Sequence, residues 1–267
     1  MPLATTDPEL AELLALAREL AATAGAIQRK RYETGLTIET KSASIDLVTE
    51  VDRACERAIV DGIRARRPHD ALLAEEGHRE ATSDARIRWI IDPLDGTTNF
   101  AHGVPRFCVS IGIEREGVRS VGVVYDPLLD ERFEAVTGAG AWLGDRQLSV
   151  TGESDFGRAL VATGFAYDVH TSDDDNLAAF GRVVKSARGI RRDGSAALDL
   201  CYVAAGRIDA YWESKLHPWD VAAGFLILEE AGGRTSDYRN GPPDASGREV
   251  AASNGQLHDA LLARINP

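Results

Sequence analysis

The chain has few cysteines, and the three present, Cys55, Cys108 and Cys201, are far apart and form no CxxC pair. An odd number of widely spaced cysteines argues against a disulfide framework and fits a reducing compartment. Free cysteine is typically a small buried side chain, so we expect all three in the hydrophobic core. The sequence predicts a cytoplasmic protein.

Long hydrophobic runs are also absent. Residues 1–20 carry acidic residues in an amphipathic pattern, unlike the basic segment and continuous apolar core of a secretory signal. No later run approaches the length that crosses a membrane. We therefore expect no membrane association.

Basic residues are in the minority. The 267 residues include 30 Lys and Arg against 42 Asp and Glu, so the formal net charge is -12. This charge argues against direct binding of nucleic acid or anionic membranes and suits cation binding. The length accommodates one large or two packed domains with substantial cores.

Histidine is scarce as well, with six residues and no HxxxH or HExxH pair. His217 precedes Pro218 at the start of a predicted helix. Because imidazole favours softer metals than magnesium, His217 fits a helix-start residue better than a metal ligand.

The most informative feature that is present is the segment 89–100, WIIDPLDGTTNF. Asp92 and Asp95 follow the apolar run and stand on the two sides of a turn, in which Pro93 restricts the backbone conformation. Both carboxylates can bind one hard cation there, with the Leu94 carbonyl as a further oxygen ligand. Asp-Pro and Asp-Gly pairs also make ordinary turns, so acidic clusters elsewhere must decide between the two interpretations.

Gly96, Thr97 and Thr98 follow at the start of a predicted helix. The first amides of a helix have no partner within it and favour a phosphate oxygen, while the Thr97 hydroxyl can hold a water. The segment therefore predicts a phosphate site beside the metal site.

Three further acidic clusters support the metal site. Asp52 stands at the start of a predicted helix, and Glu75 and Glu76 end a short predicted strand. Asp220 lies on the first turn of a later helix. Because side chains alternate along a strand, we expect only one of the two adjacent glutamates, Glu75, to face the site. Together these motifs resemble the inositol monophosphatase family of magnesium-dependent, lithium-sensitive phosphatases, over nearly the whole chain.

The resemblance implies two or three magnesium ions, for which manganese can substitute. It implies four carboxylate ligands: Glu75, Asp92, Asp95 and Asp220. Thr97 would orient the attacking water, supported by Asp52, and either Asp52 or Glu75 would accept the proton of that water. A shell of oxygen atoms alone suits magnesium and would serve zinc poorly.

The resemblance also implies which residues contact a substrate. Some of these residues would contact the phosphate and others the polyol. The full set is Gly96, Thr97, Thr98, Gly194, Ser195, Ala196, Glu213 and Asp220. Lys41, followed by Ser42-Ala43-Ser44, matches a lysine on a mobile loop that closes over the metals.

Two other features have competing interpretations. Ser195 has no visible base and opens a predicted helix, so capping or hydroxyl recognition fits it better than a nucleophilic role. The pair Arg191 and Arg192 can bind a second phosphate or a protein partner, or form a solvated charge pair.

The predicted fold class is mixed α+β and α/β, with the layers α-β-α-β-α that the resemblance implies. Strand and helix patterns predict an antiparallel sheet with two helices in residues 1–153 and an α/β part in residues 154–267. Most predicted metal ligands fall in the first part, and Asp220 and Glu213 fall in the second. We therefore expect the site between the two parts.

The resemblance implies hydrolysis of a phosphate monoester, with inositol-1-phosphate ranked first because Glu213 and residues 194–199 are similar to that branch. Histidinol phosphate ranks second, and fructose-1,6-bisphosphate or an adenosine bisphosphate third. The family usually forms homodimers. Some bacterial members act with the transcription machinery, and the segment from Arg191 resembles theirs, so association with RNA polymerase is a second possible role.

Overall fold

The computed structural model describes residues 3–41, 45–77 and 85–266. The α-helices in these ranges are α1 (Pro8–Arg31), α2 (Glu50–Arg66), α3 (Thr97–Ala101), α4 (Leu177–Val184), α5 (Ala196–Ala204), α6 (Pro218–Glu230) and α7 (His258–Ile265). The strands are β1 (Ile38–Thr40), β2 (Leu47–Thr49), β3 (Ala71–Ala74), β4 (Ile87–Asp95), β5 (Cys108–Arg115), β6 (Val118–Asp126), β7 (Glu131–Val136), β8 (Ala141–Leu143), β9 (Arg146–Gln147), β10 (Leu160–Thr163), β11 (Gly189–Arg191), β12 (Ala210–Ser214), β13 (Arg234–Ser236) and β14 (Glu249–Ser253).

The first sheet has seven strands in the order β3 to β9 and carries α1 and α2 on one face. Its neighbouring strands are antiparallel, except that β3 runs parallel to β4. Helix α1 begins after Asp7, whose side chain accepts hydrogen bonds from the first free amides, and Pro8 occupies the first turn. The sequence predicted two helices on this sheet, and the structure confirms them.

The second sheet has the order β11-β10-β12-β14-β13. Strand β10 runs parallel to both β11 and β12, whereas β14 is antiparallel to β12 and β13. Helices α5 and α6 lie between the two sheets, and α4 and α7 pack together on the outer side. The five layers α-β-α-β-α are those that the family resemblance implied.

Helix α6 shows why the middle layer forms. Its residues from Val221 to Leu228 are all buried, because one side contacts β5, β6 and β7 of the first sheet and another contacts α5. A helix covered on several sides needs apolar residues around most of its circumference. One hydrophobic core therefore draws on both parts of the chain. The division into residues 1–153 and 154–267 stays a prediction.

Several short strands were not predicted, namely β1, β2, β8, β9 and β13. Each has two or three residues, which is too short for a hydrophobic alternation to be visible. All three cysteines are buried, as predicted. Residues 42–44 and 78–84, which include Ser42 and Ser44 of the predicted mobile loop, lie outside the described residues. Within the described ranges, no helix combines the length and apolar character needed to cross a membrane.

Candidate active site

A bulge at the end of β4 creates the centre of the site. Asp92 pairs with Ser110 and Asp95 pairs with Cys108, so β4 has one more residue than β5 between these two pairs. Residues three apart on a regular strand point to opposite faces, and one extra residue brings them to the same side. Pro93 lies in this bulge, where its missing N–H leaves no ladder bond unmade.

Helix α6 adds a third carboxylate. One oxygen each of Asp92, Asp95 and Asp220 lies within 4.8 Å of the others. Asp220 stands on the first turn of α6, which begins beside the bulge and runs between the sheets. The structure therefore brings together three of the four carboxylates that were predicted to bind metal, from both parts of the chain.

Two of these carboxylates are oriented by nearby backbone amides. The Leu94 amide donates to Asp92 Oδ1 at 2.9 Å, and the His217 amide donates to Asp220 Oδ2 at 2.7 Å. Each hydrogen bond occupies one oxygen and fixes the carboxylate plane, which leaves the second oxygen for another ligand. Such orienting contacts are typical of the residues that hold metal ions.

Asp95 is oriented by helix α5. Its Oδ2 accepts a hydrogen bond from Ser195 Oγ at 2.7 Å and one from the Ala197 amide at 2.8 Å. The sequence placed Ser195 correctly at the start of a helix, but its hydroxyl makes no capping bond to that helix. Because Ser195 Oγ donates to a carboxylate, its proton already has an acceptor.

The carboxylate cluster is electrostatically unfavourable without a cation. Burial raises the pKa of Asp92, and the charges of Glu75, Asp95 and Asp220 raise it further. Burial likewise raises the pKa of Asp220, followed by the charges of Asp95 and Glu75. The three grouped side chains offer carboxylate oxygens, and a hard divalent cation is the ligand that such a donor set favours. The residues therefore fit the metal that the sequence predicted.

The prediction that Glu75 and Glu76 end a strand was wrong. They lie beyond the end of β3, in a turn, so the alternation of a strand does not separate them. Lys41 Nζ donates to Glu75 Oε1 at 2.8 Å and also to Glu76 Oε1. Burial raises the pKa of Glu75 to about 7, although the charge of Lys41 opposes this shift. Glu75 thus lies beside the three-aspartate cluster, with Lys41 over its carboxylate.

Thr97 and Asp52 contact each other as predicted. Thr97 Oγ1 lies 2.8 Å from Asp52 Oδ1 and 3.0 Å from the Leu94 carbonyl oxygen, so its proton has an acceptor in either direction. Asp52 Oδ2 accepts hydrogen bonds from the Thr49 amide and hydroxyl. With its proton directed into the protein, the Thr97 oxygen can accept a hydrogen bond from a water.

Gly96 shapes the turn before α3. It has φ +96°, and a Cβ at this position would lie 2.8 Å from the Arg106 carbonyl oxygen, so a side chain would require both strain and movement. The turn ends at Thr97, where α3 begins. The first amides of α3, including those of Thr97 and Thr98, have no acceptor within the helix.

Glu213 lies across a cavity of about 220 Å³ that the aspartates also line. Tyr211, two residues earlier on the same face of β12, donates from its hydroxyl to Glu213 Oε2 at 2.6 Å. A Cβ on Gly164 would lie 2.1 Å from both carboxylate oxygens, so the backbone there approaches as closely as glycine permits. Burial raises the pKa of Glu213 to about 7, against the opposing hydrogen bond from Tyr211.

The sequence prediction missed one wall of this cavity. Phe165, Ala166 and Tyr167 line it, on the connection between β10 and α4. Although Tyr167 is 48% exposed, desolvation of its hydroxyl, followed by the charges of Glu75 and Asp220, raises the pKa of that hydroxyl. The residues of this wall match no periodic pattern or charged motif, so the sequence offered no signal for them. Gly194 and Ala196 also line the cavity, as predicted.

Both residues of the arginine pair are exposed; Arg192 lines the cavity, whereas Arg191 lies at the end of β11. The positive charge of Arg192 lowers the pKa of Glu213 against the larger effect of burial. The two residues thus have different surroundings, which the sequence did not distinguish.

Comparison with known proteins identifies the family of this chain. A model of the inositol monophosphatase family matches residues 9–266, and the chain belongs to that family. It is 43% identical over 253 residues to an inositol-1-monophosphatase from Synechocystis sp., covering 95% of this chain and 88% of that protein. It is 40% identical over 256 residues to Nus factor SuhB from Pasteurella multocida, covering 96% of each. The structure of an inositol monophosphatase from Anabaena (Nostoc) sp. aligns with a TM-score of 0.87 at 41% identity, covering 96% of each chain.

Proposed function

We propose that this protein hydrolyses the phosphate monoester of a polyol, with inositol-1-phosphate as the first candidate, in a magnesium-dependent reaction. The observation that carries the proposal is the cluster of Asp92, Asp95 and Asp220, in which a protein donor fixes each carboxylate and leaves its other oxygen for a cation. The names of the relatives from Synechocystis and Anabaena support the substrate class.

The proposed ligands of two or three magnesium ions are Glu75, Asp92, Asp95, Asp220 and the Leu94 carbonyl. Manganese is an alternative because it prefers the same oxygen ligands. When bound, the ions would neutralise phosphate charge and lower the pKa of water. For Glu75 to bind a metal ion, Lys41 must share or release the Glu75 carboxylate, because Lys41 Nζ lies 2.8 Å from Glu75 Oε1.

Thr97 and Asp52 are proposed to orient the attacking water. The Thr97 hydroxyl donates inward, so its oxygen accepts a hydrogen bond from the water and directs one lone pair of the water toward phosphorus. Both oxygens of Asp52 accept hydrogen bonds from the protein, and Glu75 Oε1 accepts one from Lys41. Either Asp52 or Glu75 is proposed to accept the proton of the water.

The substrate would lie across the cavity. The amides that begin α3, at Gly96, Thr97 and Thr98, would face the phosphate oxygens. Four residues would face the polyol: Gly194, Ser195, Ala196 and Glu213. The buried Glu213 carboxylate can accept two hydroxyl donors. No covalent intermediate at Ser195 is proposed, because its hydroxyl proton is bound to Asp95.

The proposal is tested by measuring phosphate release from inositol-1-phosphate with magnesium, with excess chelator, and with magnesium restored after chelation. We expect turnover to disappear with chelator and to return with magnesium. Histidinol phosphate, fructose-1,6-bisphosphate and glycerol-2-phosphate serve as comparison substrates. Full turnover in excess chelator would contradict the proposal, and a higher kcat/KM for histidinol phosphate would redirect the substrate assignment.

A second role with the transcription machinery is proposed on one observation, the 40% identity to a protein named Nus factor SuhB. The exposed Arg191 offers a charge for a protein partner. Co-purification with RNA polymerase, compared between wild type and Arg191→Glu, tests this role. A homodimer, proposed from the family resemblance, is tested by the mass of the purified protein in solution.

A further inference from the structure

A lysine that lines the cavity has an uncommon backbone conformation. Lys215 follows β12 two residues after Glu213 and has φ +61°, in the left-handed region. This region is uncommon for residues other than glycine, and long side chains have no local hydrogen bond that favours it. Glycine would adopt it without strain. The presence of a side chain at this position therefore calls for a contact that offsets the strain.

The ammonium group of Lys215 makes such contacts. It donates to Asp168 Oδ2 at 2.8 Å, to Ser172 Oγ at 2.9 Å and to the Asp174 carbonyl oxygen at 2.8 Å. A lysine ammonium has three protons, so these three residues use its full donor capacity. All three acceptors lie on the connection between β10 and α4, far from Lys215 in the sequence.

The same connection forms the cavity wall that carries Tyr167. Residues 164–176 contain no helix or strand, and their own backbone bonds are few and local, such as those from the Thr171 and Ser172 amides to the Asp168 carbonyl. Tyr167 lines the cavity and directly precedes Asp168, the first acceptor of Lys215. Fixing Asp168 therefore fixes the backbone that carries the Tyr167 ring.

We propose that Lys215 is a positioning residue that holds residues 168–174 against the end of β12 and thereby fixes the Tyr167 wall for substrate binding. The proposal rests on the proposed function and adds a determinant of affinity to it. Without the hydrogen bonds of Lys215, the segment that carries Tyr167 would adopt other conformations. The apparent affinity for substrate would then equal the intrinsic affinity multiplied by the fraction of molecules that keep Tyr167 in place. The groups that contact the reacting atoms are unchanged, so kcat should be retained.

The test compares Lys215→Gly with Glu116→Gly. The first substitution removes the ammonium group and also relieves the left-handed backbone, so folding is not put at risk. Glu116 has φ +54° in the turn after β5, at the opposite end of that strand from the Asp95 pairing, roughly 25 Å away at strand spacing. It therefore controls for relief of the same backbone strain.

For Lys215→Gly we expect KM for inositol-1-phosphate to rise about tenfold and kcat to stay within about twofold of wild type. Asp168→Asn should also raise KM. The KM of the double variant should exceed that of either single variant only slightly, because both substitutions break the same contact between Lys215 and Asp168. Glu116→Gly should leave both constants unchanged. A KM within about twofold of wild type, or a large loss of kcat at constant KM, would overturn the proposal.

Amide hydrogen exchange separates this inference from the proposed function. In Lys215→Gly, peptides that cover residues 168–174 should exchange about tenfold faster than in wild type, whereas those that cover β5 and β6 should not change. If wild type shows no magnesium-dependent turnover, the proposed function fails. Amide exchange alone then tests whether Lys215 holds residues 168–174 in place. Unchanged exchange in residues 168–174 would then refute it.

Discussion

Asp92→Asn should make the metal-free protein more stable while it removes activity. In the absence of a cation, the oxygens of Asp92, Asp95 and Asp220 lie within 4.8 Å of one another in a buried site. Two unit charges at that distance repel by roughly 3 kcal/mol at an effective dielectric constant of about 20. Asparagine at position 92 removes the repulsion with both partners and keeps an oxygen for the Leu94 amide.

Proton uptake limits the size of this gain. Burial and neighbouring charges raise the pKa of Asp92 and Asp220, so the cluster takes up protons that relieve part of the repulsion. We therefore expect a net gain of about 2 kcal/mol near pH 8, equivalent to roughly 4–8 °C in Tm for a chain of this size. A raised carboxyl pKa favours the folded state at low pH and loses that contribution as pH rises through it. The gain of the variant should therefore grow with pH and vanish in acid.

The assay is thermal unfolding with and without magnesium, across pH, together with turnover of inositol-1-phosphate. Magnesium should raise the Tm of wild type and leave that of Asp92→Asn almost unchanged. Asp126→Asn is the matched control, because Asp126 is also a buried aspartate whose Oδ1 accepts from a backbone amide two residues later. It should respond to magnesium as wild type does. A lower metal-free Tm in Asp92→Asn, or an equal gain from magnesium, would refute the charge-cluster argument.

Four further outcomes are expected. Thr97→Val should lower kcat about 100-fold with little change in KM, because it removes the oxygen that would orient the water, and retained kcat would contradict that role. Glu213→Gln should lower the ratio of kcat/KM for inositol-1-phosphate over glycerol-2-phosphate about tenfold at saturating magnesium, whereas an unchanged ratio would mean that Glu213 does not contact the polyol. Lithium should inhibit uncompetitively with respect to substrate, because the family resemblance implies that it occupies a weak metal position after the ester is cleaved. Purely competitive inhibition would contradict this order of events. Burial lowers the pKa of His258 from 6.5 to about 4. The stability of wild type relative to His258→Gln should therefore be greatest above pH 6.5 and decrease by about 3 kcal/mol as the pH drops to 4. Unfolding curves measured at each pH would detect this change.

The sequence predicted those parts of the site that depend on local pattern. Asp92 and Asp95 stand out because they flank a proline beside an apolar strand, and Asp220 because it opens an apolar helix. The contact between Thr97 and Asp52 followed from the family resemblance, and the structure places the two residues together. The roles of these residues in catalysis stay predictions.

The remaining contacts depend on tertiary packing. The hydrogen bond from Ser195 to Asp95 joins residues 100 positions apart, and the approach of Gly164 to Glu213 depends on the pairing of β10 with β12. Neither relation has a periodic signal in one sequence. The bulge in β4 was also invisible, because a bulge is defined by the register with its partner strand. The expectation that Glu75 and Glu76 end a strand failed for a related reason, since β3 ends at Ala74; of the two glutamates, Glu75 lines the cavity and Glu76 does not.

The three aspartates differ in what holds them in place, and this difference links the site to the fold. Asp92 and Asp220 each accept from an amide two or three residues away, so their orientation is set by their own turn. Asp95 accepts instead from Ser195 and Ala197 at the start of α5, a helix of the middle layer. A displacement of α5 relative to the first sheet would therefore turn the Asp95 carboxylate and leave the other two in place. The geometry of the cation site thus depends on correct packing between the two parts of the chain, and cation affinity should be sensitive to changes in the core around α5 and α6 even where no ligand is altered.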